Sequence, residues 1–171
     1  MKFPNDNKTV KAWQADPEQM ALLENTLSPD QINSANFDAI YFTGRHAAMY
    51  DFLDSEGLQQ VTQERFEWVA IVSSVCQSYC SLLNTKLSDR SYLVARRKIT
   101  RFAWQEEVLV CLSELVPYNT EDEVKKCDAF HKKAKLLFVS HAVVDGNLVT
   151  GQNPGSPKET VKKVVATLSR S

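Results

Sequence analysis

Residues 69–75 are mostly apolar and partly β-branched, and no glycine, proline or other turn residue separates them from Cys76. A run of this kind is typical of a buried strand. The residues that follow, 77–86, carry their apolar side chains at helical spacing. The sequence therefore predicts a strand that becomes a helix at a cysteine, which is the layout of a nucleophile elbow, where a strained turn holds a reactive atom at the carboxyl edge of a sheet.

Other predicted strands and helices alternate along the chain, which indicates an α/β sandwich around a mostly parallel sheet. We expect a single domain over 1–171, with 1–36 as an irregular, helical lead-in that contains a helix capped by Asp16-Pro17. The further predicted strands are 37–42, 91–95, 98–102, 136–144 and 148–150, and the further predicted helices are 57–68, 105–113, 117–126 and a closing helix after Ser156 with Val161, Val164, Val165 and Leu168 facing inward. Asp145-Gly146-Asn147 predicts a hairpin between the last two strands.

Composition excludes several classes of protein. The chain has 20 Lys+Arg against 21 Asp+Glu, so it has no basic field for a nucleic acid. Its apolar runs are too short for a membrane span, and its five glycines form no phosphate-binding loop. The four cysteines lack the spacing of metal ligands or of a disulfide framework, so we expect no metal and no cofactor. The first residues are polar where a secretory signal would be apolar, so we expect a cytoplasmic protein.

The reactive group that the pattern offers is the Cys76 thiol. The start of a helix favours a thiolate and can lower the pKa of a cysteine below its usual 8.5 or so. The alternative is that Cys76 is a small buried hydrophobic residue. Elsewhere, we expect Arg96–Lys98 and Arg101 to form a solvated turn and His131 to lie at the surface.

Four blocks of the sequence resemble, in order, the ThiJ/PfpI superfamily, in particular its glutathione-independent glyoxalase and heat-shock chaperone branch. Residues 37–51, FDAIYFTGRHAAMYD, resemble the branch pattern YDAVFYPGGHGPMWD. Residues 74–78 with 82–84 resemble AVCHG and LLN, and residues 93–107 resemble LVAGKKVTGF followed by EE. Residues 143–154, VVDGNLVTGQNP, resemble VVVDGRLITGQNP and are the most specific of the four.

The resemblance implies a flavodoxin-like fold and a site for a small aldehyde. It places the nucleophile at Cys76, the supporting acid at Glu107, and Gln77 at the position of the family histidine. An amide cannot exchange a proton near neutral pH, and losing a general acid or base typically removes about 10² to 10⁴ in rate.

The family's GGHG reads Gly44-Arg45-His46-Ala47, where backbone N–H groups would face an oxyanion. A side chain at Arg45 costs roughly 1 to 2 kcal/mol if that position requires a positive φ. A lone histidine such as His46 is more often structural than catalytic. The site therefore looks eroded or repurposed.

The chain also has no counterpart of the family's first strand-helix-strand unit, or of the glutamate which that unit places beside the nucleophile. The edge left by a missing central strand must be covered, for example by a second copy or a full-length paralogue.

We therefore consider three functions: a glyoxalase that converts methylglyoxal to lactate with weak or no activity, a non-catalytic chaperone or subunit partner active under stress, and a thiol sensor based on Cys76.

Overall fold

The structure is a computed structural model that describes residues 8–170. The α-helices are α1 (Lys8–Gln14), α2 (Pro17–Glu24), α3 (Ala48–Asp51), α4 (Glu56–Glu67), α5 (Cys80–Leu83), α6 (Trp104–Leu109), α7 (Thr120–Lys126) and α8 (Pro157–Leu168). The strands are β1 (Ala39–Phe42), β2 (Ile71–Val75), β3 (Lys98–Ile99), β4 (Phe130–His131), β5 (Ala142–Asp145) and β6 (Leu148–Gly151). Short 3₁₀ helices span Pro29–Gln31, Ser34–Asn36 and Cys76–Tyr79. No helix within the described residues is both long and apolar enough to cross a membrane.

The chain divides after Asn33 into two units. The first unit contains α1 and α2, and none of the residues in these two helices is buried. The predicted cap of α2 is confirmed, since Asp16 Oδ1 accepts hydrogen bonds from Glu18 N at 2.9 Å and Gln19 N at 3.4 Å, with Pro17 at the first helical position. A carboxylate at this position satisfies N–H groups that have no partner within the helix.

The second unit is built on a four-stranded sheet in the order β1-β2-β6-β5. β1 and β6 both run parallel to β2, and β5 is antiparallel to β6. The predicted α/β architecture with a mostly parallel sheet is therefore confirmed. The hairpin between β5 and β6 is confirmed as well, and Gly146 at its tip has a φ of +60°, which glycine adopts without a steric penalty.

Alternate residues of the strands face opposite sides of this sheet. Val72 of β2 and Leu148 of β6 belong to the main core with α4 and α5 residues, whereas Ile71 and Val149 pack against Val164 of α8. The sheet thus separates two helical layers, as period-two side-chain alternation requires in a strand buried on both faces.

Several local predictions were wrong. Tyr92 forms only an isolated bridge with Lys86, and residues 93–96 form a turn. Leu93 and Val94 are apolar because they fill the core rather than because they pair in a sheet. β5 begins at Ala142 rather than at 136, and α7 begins at Thr120, after the Asn119 cap, rather than at 117. In α8 only Val164 of the four predicted core residues is buried, and the other three are exposed: Val161, Val165 and Leu168.

Two expected surface residues lie inside the protein. Arg101 is fully buried, where its Nη1 donates to Phe102 O and to Thr120 Oγ1, both at 2.8 Å. His131 is half-buried in β4, and its burial, reinforced by the charge of Arg101, lowers its pKa to about 4. Arg101 is therefore not part of a solvated turn with residues 96–98.

Candidate functional site

The predicted elbow lies at the carboxyl end of β2. β2 ends at Val75, and Cys76 is the first residue of the 3₁₀ helix Cys76–Tyr79, with a φ of +61°. A left-handed backbone at a residue other than glycine costs about 1 to 2 kcal/mol, and such strain is concentrated at functional sites. The strand, the strained cysteine and the helical turn therefore form the nucleophile elbow that the sequence predicts.

Ser78 stabilises this turn, a role that the sequence reasoning missed. Its Oγ accepts a hydrogen bond from Val75 N at 3.1 Å and lies 2.7 Å from Phe42 O at the end of β1. The hydroxyl thus ties the elbow to the neighbouring strand. The signal in the sequence was only that a serine stands at the position of the family's elbow glycine.

Gly44 lies directly against the elbow. A Cβ at this position would be 2.4 Å from Val75 O and 2.7 Å from Cys76 Cβ, which is closer than real Cβ atoms approach other atoms. Arg45, the next residue, has no positive φ and an exposed side chain. The conformational cost anticipated for Arg45 therefore does not arise, whereas the close approach at Gly44 does require glycine.

Three polar side chains surround Gln77, which follows Cys76. The Cys76 thiol donates a hydrogen bond to Gln77 Oε1. Gln77 Nε2 lies 3.0 Å from His46 Nε2 and donates to Glu107 Oε2 at 3.3 Å. His46 Nε2 lies 2.9 Å from Glu107 Oε1. The fold thus brings together Cys76, Gln77, Glu107, His46 and Gly44, all of them predicted site residues.

The predicted activation of the thiol does not occur. Burial raises the pKa of Cys76 to about 12, and the carboxylates of Glu107 and Glu106 act in the same direction. The backbone N–H of Gln77 and the charge of Arg45 favour the thiolate but are outweighed. The start of the helix favours a thiolate, but the desolvation of the buried sulfur is the larger effect.

Within residues 8–170 the structure groups no three His, Cys, Asp or Glu side chains as metal ligands. Cys76 and Cys80 are both buried free thiols, and Cys80 Sγ donates to Ala48 O at 3.1 Å. The chemistry that the arrangement offers is therefore that of one thiol beside an amide and a histidine–carboxylate pair.

No protein-family model matches the chain, but individual proteins do. The probable glutathione-independent glyoxalase hsp3103 of Schizosaccharomyces pombe is 27% identical over 174 residues, which cover 98% of this chain and 64% of that relative. A crystal structure of glyoxalase III from Candida albicans has a TM-score of 0.89 over 96% of this chain and 72% of its own, at 21% identity. A ThiJ/PfpI domain protein from Brachyspira murdochii has a TM-score of 0.65 over 85% of this chain and 68% of its own, at 19% identity.

The chain is a homologue of glutathione-independent glyoxalases, and its fold is that of ThiJ/PfpI proteins. The flavodoxin-like fold that the resemblance implied is thereby confirmed, and so is the relation to glutathione-independent glyoxalases. The chain spans less than two thirds of the length of the first curated relatives that it matches, at 64% and 66%.

Proposed function

We propose that the protein is a cysteine-dependent glyoxalase of low activity that converts a small 2-oxoaldehyde such as methylglyoxal to the corresponding 2-hydroxy acid without glutathione. The observation that carries the proposal is the contact of the strained Cys76 elbow with Gln77, which in turn contacts His46 and Glu107. The two latter groups can accept a proton, whereas the Gln77 amide cannot.

The reaction needs three balanced steps. Cys76 Sγ adds to the aldehyde carbon, and the thiol proton ends on the aldehyde oxygen, which gives a hemithioacetal. A base removes the proton from this carbon and a proton is delivered to the neighbouring carbonyl carbon. The hydroxyl proton of the hemithioacetal passes to the former ketone oxygen, so that the hemithioacetal becomes a thioester of the hydroxy acid. Water then cleaves the thioester and releases the acid and the thiol. No external oxidant or reductant is consumed.

The His46–Glu107 pair supplies the base in this proposal. Glu107 is buried, His46 is partly exposed, and their facing atoms are 2.9 Å apart. In the first step a histidine at position 77 would take the thiol proton of Cys76, but this position is occupied by Gln77, which cannot. We therefore expect turnover to be about 10² to 10⁴ times slower than in an enzyme with a base at position 77.

Purified protein with methylglyoxal, followed by chiral analysis of lactate, tests the proposal. Cys76→Ala should abolish lactate formation, and Cys111→Ala should not, because Cys111 is the exposed cysteine and none of the contacts described above involves it. Equal rates for the wild type and Cys76→Ala would refute the proposal. The raised pKa of Cys76 argues against the thiol-sensor alternative, since the thiolate is the form that peroxides oxidise.

A second candidate, binding of unfolded polypeptide, is favoured by one observation. β1 is an edge strand, and α8, which packs on β2, β6 and β5, exposes Val161, Val165 and Leu168. The wild type should then suppress aggregation of a heated client, and Val161→Lys with Val165→Lys should weaken this effect. Equal suppression by both proteins would exclude this surface.

All four cysteines are free, which suits the reducing cytoplasm that we propose as the compartment.

A further inference from the structure

Glu106, the neighbour of Glu107, is a buried carboxylate outside the network just described. It is fully buried, and it accepts hydrogen bonds from Ala103 N at 3.0 Å, Phe138 N at 2.6 Å and Asn153 Nδ2 at 2.9 Å. Gln152 Nε2 donates to both of its oxygens at 3.2 Å. No Lys, Arg or His nitrogen of the described residues forms an ion pair with it, so neutral donors alone compensate the cost of burying this charge.

The donors come from three separate parts of the chain: the start of α6, the loop after β6 and the segment 134–139. The loop after β6 holds this segment at two further points, since Gln152 Oε1 accepts from Ala134 N at 2.8 Å and Asn153 Nδ2 donates to Val139 O at 2.8 Å. Glu106 is thus the centre of a network that fixes the backbone of 134–139.

Phe138 is the residue of this segment that Glu106 holds directly, and its backbone is strained. Its φ is +59°, which a residue with a large side chain rarely adopts. The ring centroid lies 6.5 Å from that of Phe102, which is 6.3 Å from that of His46 and packs against Cys76. Phe102 is buried, and Phe138 is 39% exposed.

We propose that Glu106 is a positioning residue that acts through Phe138. By holding the Phe138 backbone in its strained conformation, Glu106 keeps the Phe138 and Phe102 rings together as an aromatic wall beside Cys76 and His46. This wall limits the size of the molecules that reach the sulfur, so the site takes small 2-oxoaldehydes and excludes those with a bulky substituent. The inference rests on the proposed function in taking Cys76 as the reacting group.

The test measures access to Cys76 with two alkylating reagents that share one reactive group, iodoacetamide and N-benzyl iodoacetamide. Mass spectrometry gives the rate at each cysteine. In Glu106→Gln an N–H₂ group replaces one of the two acceptor oxygens. This N–H₂ group then faces the N–H₂ group of Gln152 or Asn153, and two donors cannot form a hydrogen bond with each other. We expect the ratio of bulky to small reagent rates at Cys76 to rise about tenfold, since hydrogen bonds to a charged group are lost. Taking a ratio cancels any change in thiolate fraction that the loss of charge causes.

Three controls separate positioning from loss of fold. Cys80 and Cys127 are also buried, and neither belongs to the apolar cluster that contains Cys76 and Phe102, so global loosening would expose them together with Cys76. Phe138→Gly removes the ring and suits the positive φ, so it should fold and raise the same ratio. Combining Glu106→Gln with Gln152→Glu restores a donor–acceptor pair and the charge, and should return the ratio toward that of the wild type.

An unchanged ratio in both Glu106→Gln and Phe138→Gly would overturn the inference, and so would equal labelling of all three buried cysteines. Neither reagent requires turnover. A changed ratio in a protein that makes no lactate would therefore support the aromatic wall and refute the glyoxalase proposal. Lactate formation with an unchanged ratio would support the glyoxalase proposal and refute the aromatic wall.

Discussion

Replacing Gln77 by histidine should convert the buried thiol into a reactive one. Gln77 Oε1 accepts the Cys76 thiol hydrogen, and its Nε2 donates to Glu107 Oε2 at 3.3 Å. An imidazole between these groups can take the thiol proton, and the carboxylate then stabilises the imidazolium. The amide makes the same two contacts but cannot hold the proton.

The size of the effect follows from the pKa. With the pKa of Cys76 raised to about 12, a fraction of roughly 3 × 10⁻⁵ is thiolate at pH 7.5. If Gln77→His restores a pKa of about 8.5, that fraction rises about 3,000-fold. A thiolate of lower pKa is a weaker nucleophile, with a Brønsted coefficient of about 0.4 to 0.5, which removes a factor of roughly 40. The net gain in reaction rate is on the order of 100-fold.

The assay is the rate of iodoacetamide labelling at Cys76 at pH 7.5, with the exposed Cys111 as an internal reference, together with lactate formation from methylglyoxal. Gln77→Met is the matched control, because it keeps an unbranched side chain of similar size without a proton acceptor, and it should give no such gain. A folded Gln77→His protein with an unchanged labelling rate would show that the missing proton acceptor is not what limits Cys76.

Three further predictions concern the same fold. In the wild type, labelling of Cys76 should rise about tenfold per pH unit from pH 7 to 10, because burial raises its pKa to about 12, and levelling off near pH 8.5 would contradict this. Gly44→Ala should lower the free energy of unfolding, measured in urea, by about 2 to 4 kcal/mol, because the new Cβ meets Val75 O. Gly146→Ala has open space around its Cβ and should lower it by only about 1 kcal/mol. Equal losses for the two variants would refute the close approach at Gly44. Burial lowers the pKa of His131 from 6.5 to about 4. As the pH falls from 6.5 to 4, the unfolded chain therefore binds a proton at His131 before the folded chain does, and the folded state loses stability. The loss is on the order of 2 kcal/mol after allowance for partial solvent screening. Urea unfolding at pH 7 and pH 4.5 should show a smaller difference for His131→Gln than for the wild type.

The elements with strong local signals could be predicted from the sequence. The β2–Cys76 junction, the Asp16 cap and the hairpin at Gly146 each depend on residues within about one turn of one another, so adjacent residues contain the information. The interval 91–95 could not be assigned in this way, because apolar residues in a buried turn have the same composition as a short strand. Whether such residues pair or pack is decided by neighbours distant in sequence.

A thiol at a strand–helix junction of an α/β fold could be predicted from the residues alone, because that information is local and periodic. The chemistry around this thiol depends on the folded chain, since His46 and Glu107 approach Gln77 from two other segments. Desolvation of Cys76 likewise depends on everything packed against it, and it reverses the effect expected from the helix start alone. Charge and burial act over distances in space rather than along the chain, and for that reason the pattern could locate this site but not set its reactivity.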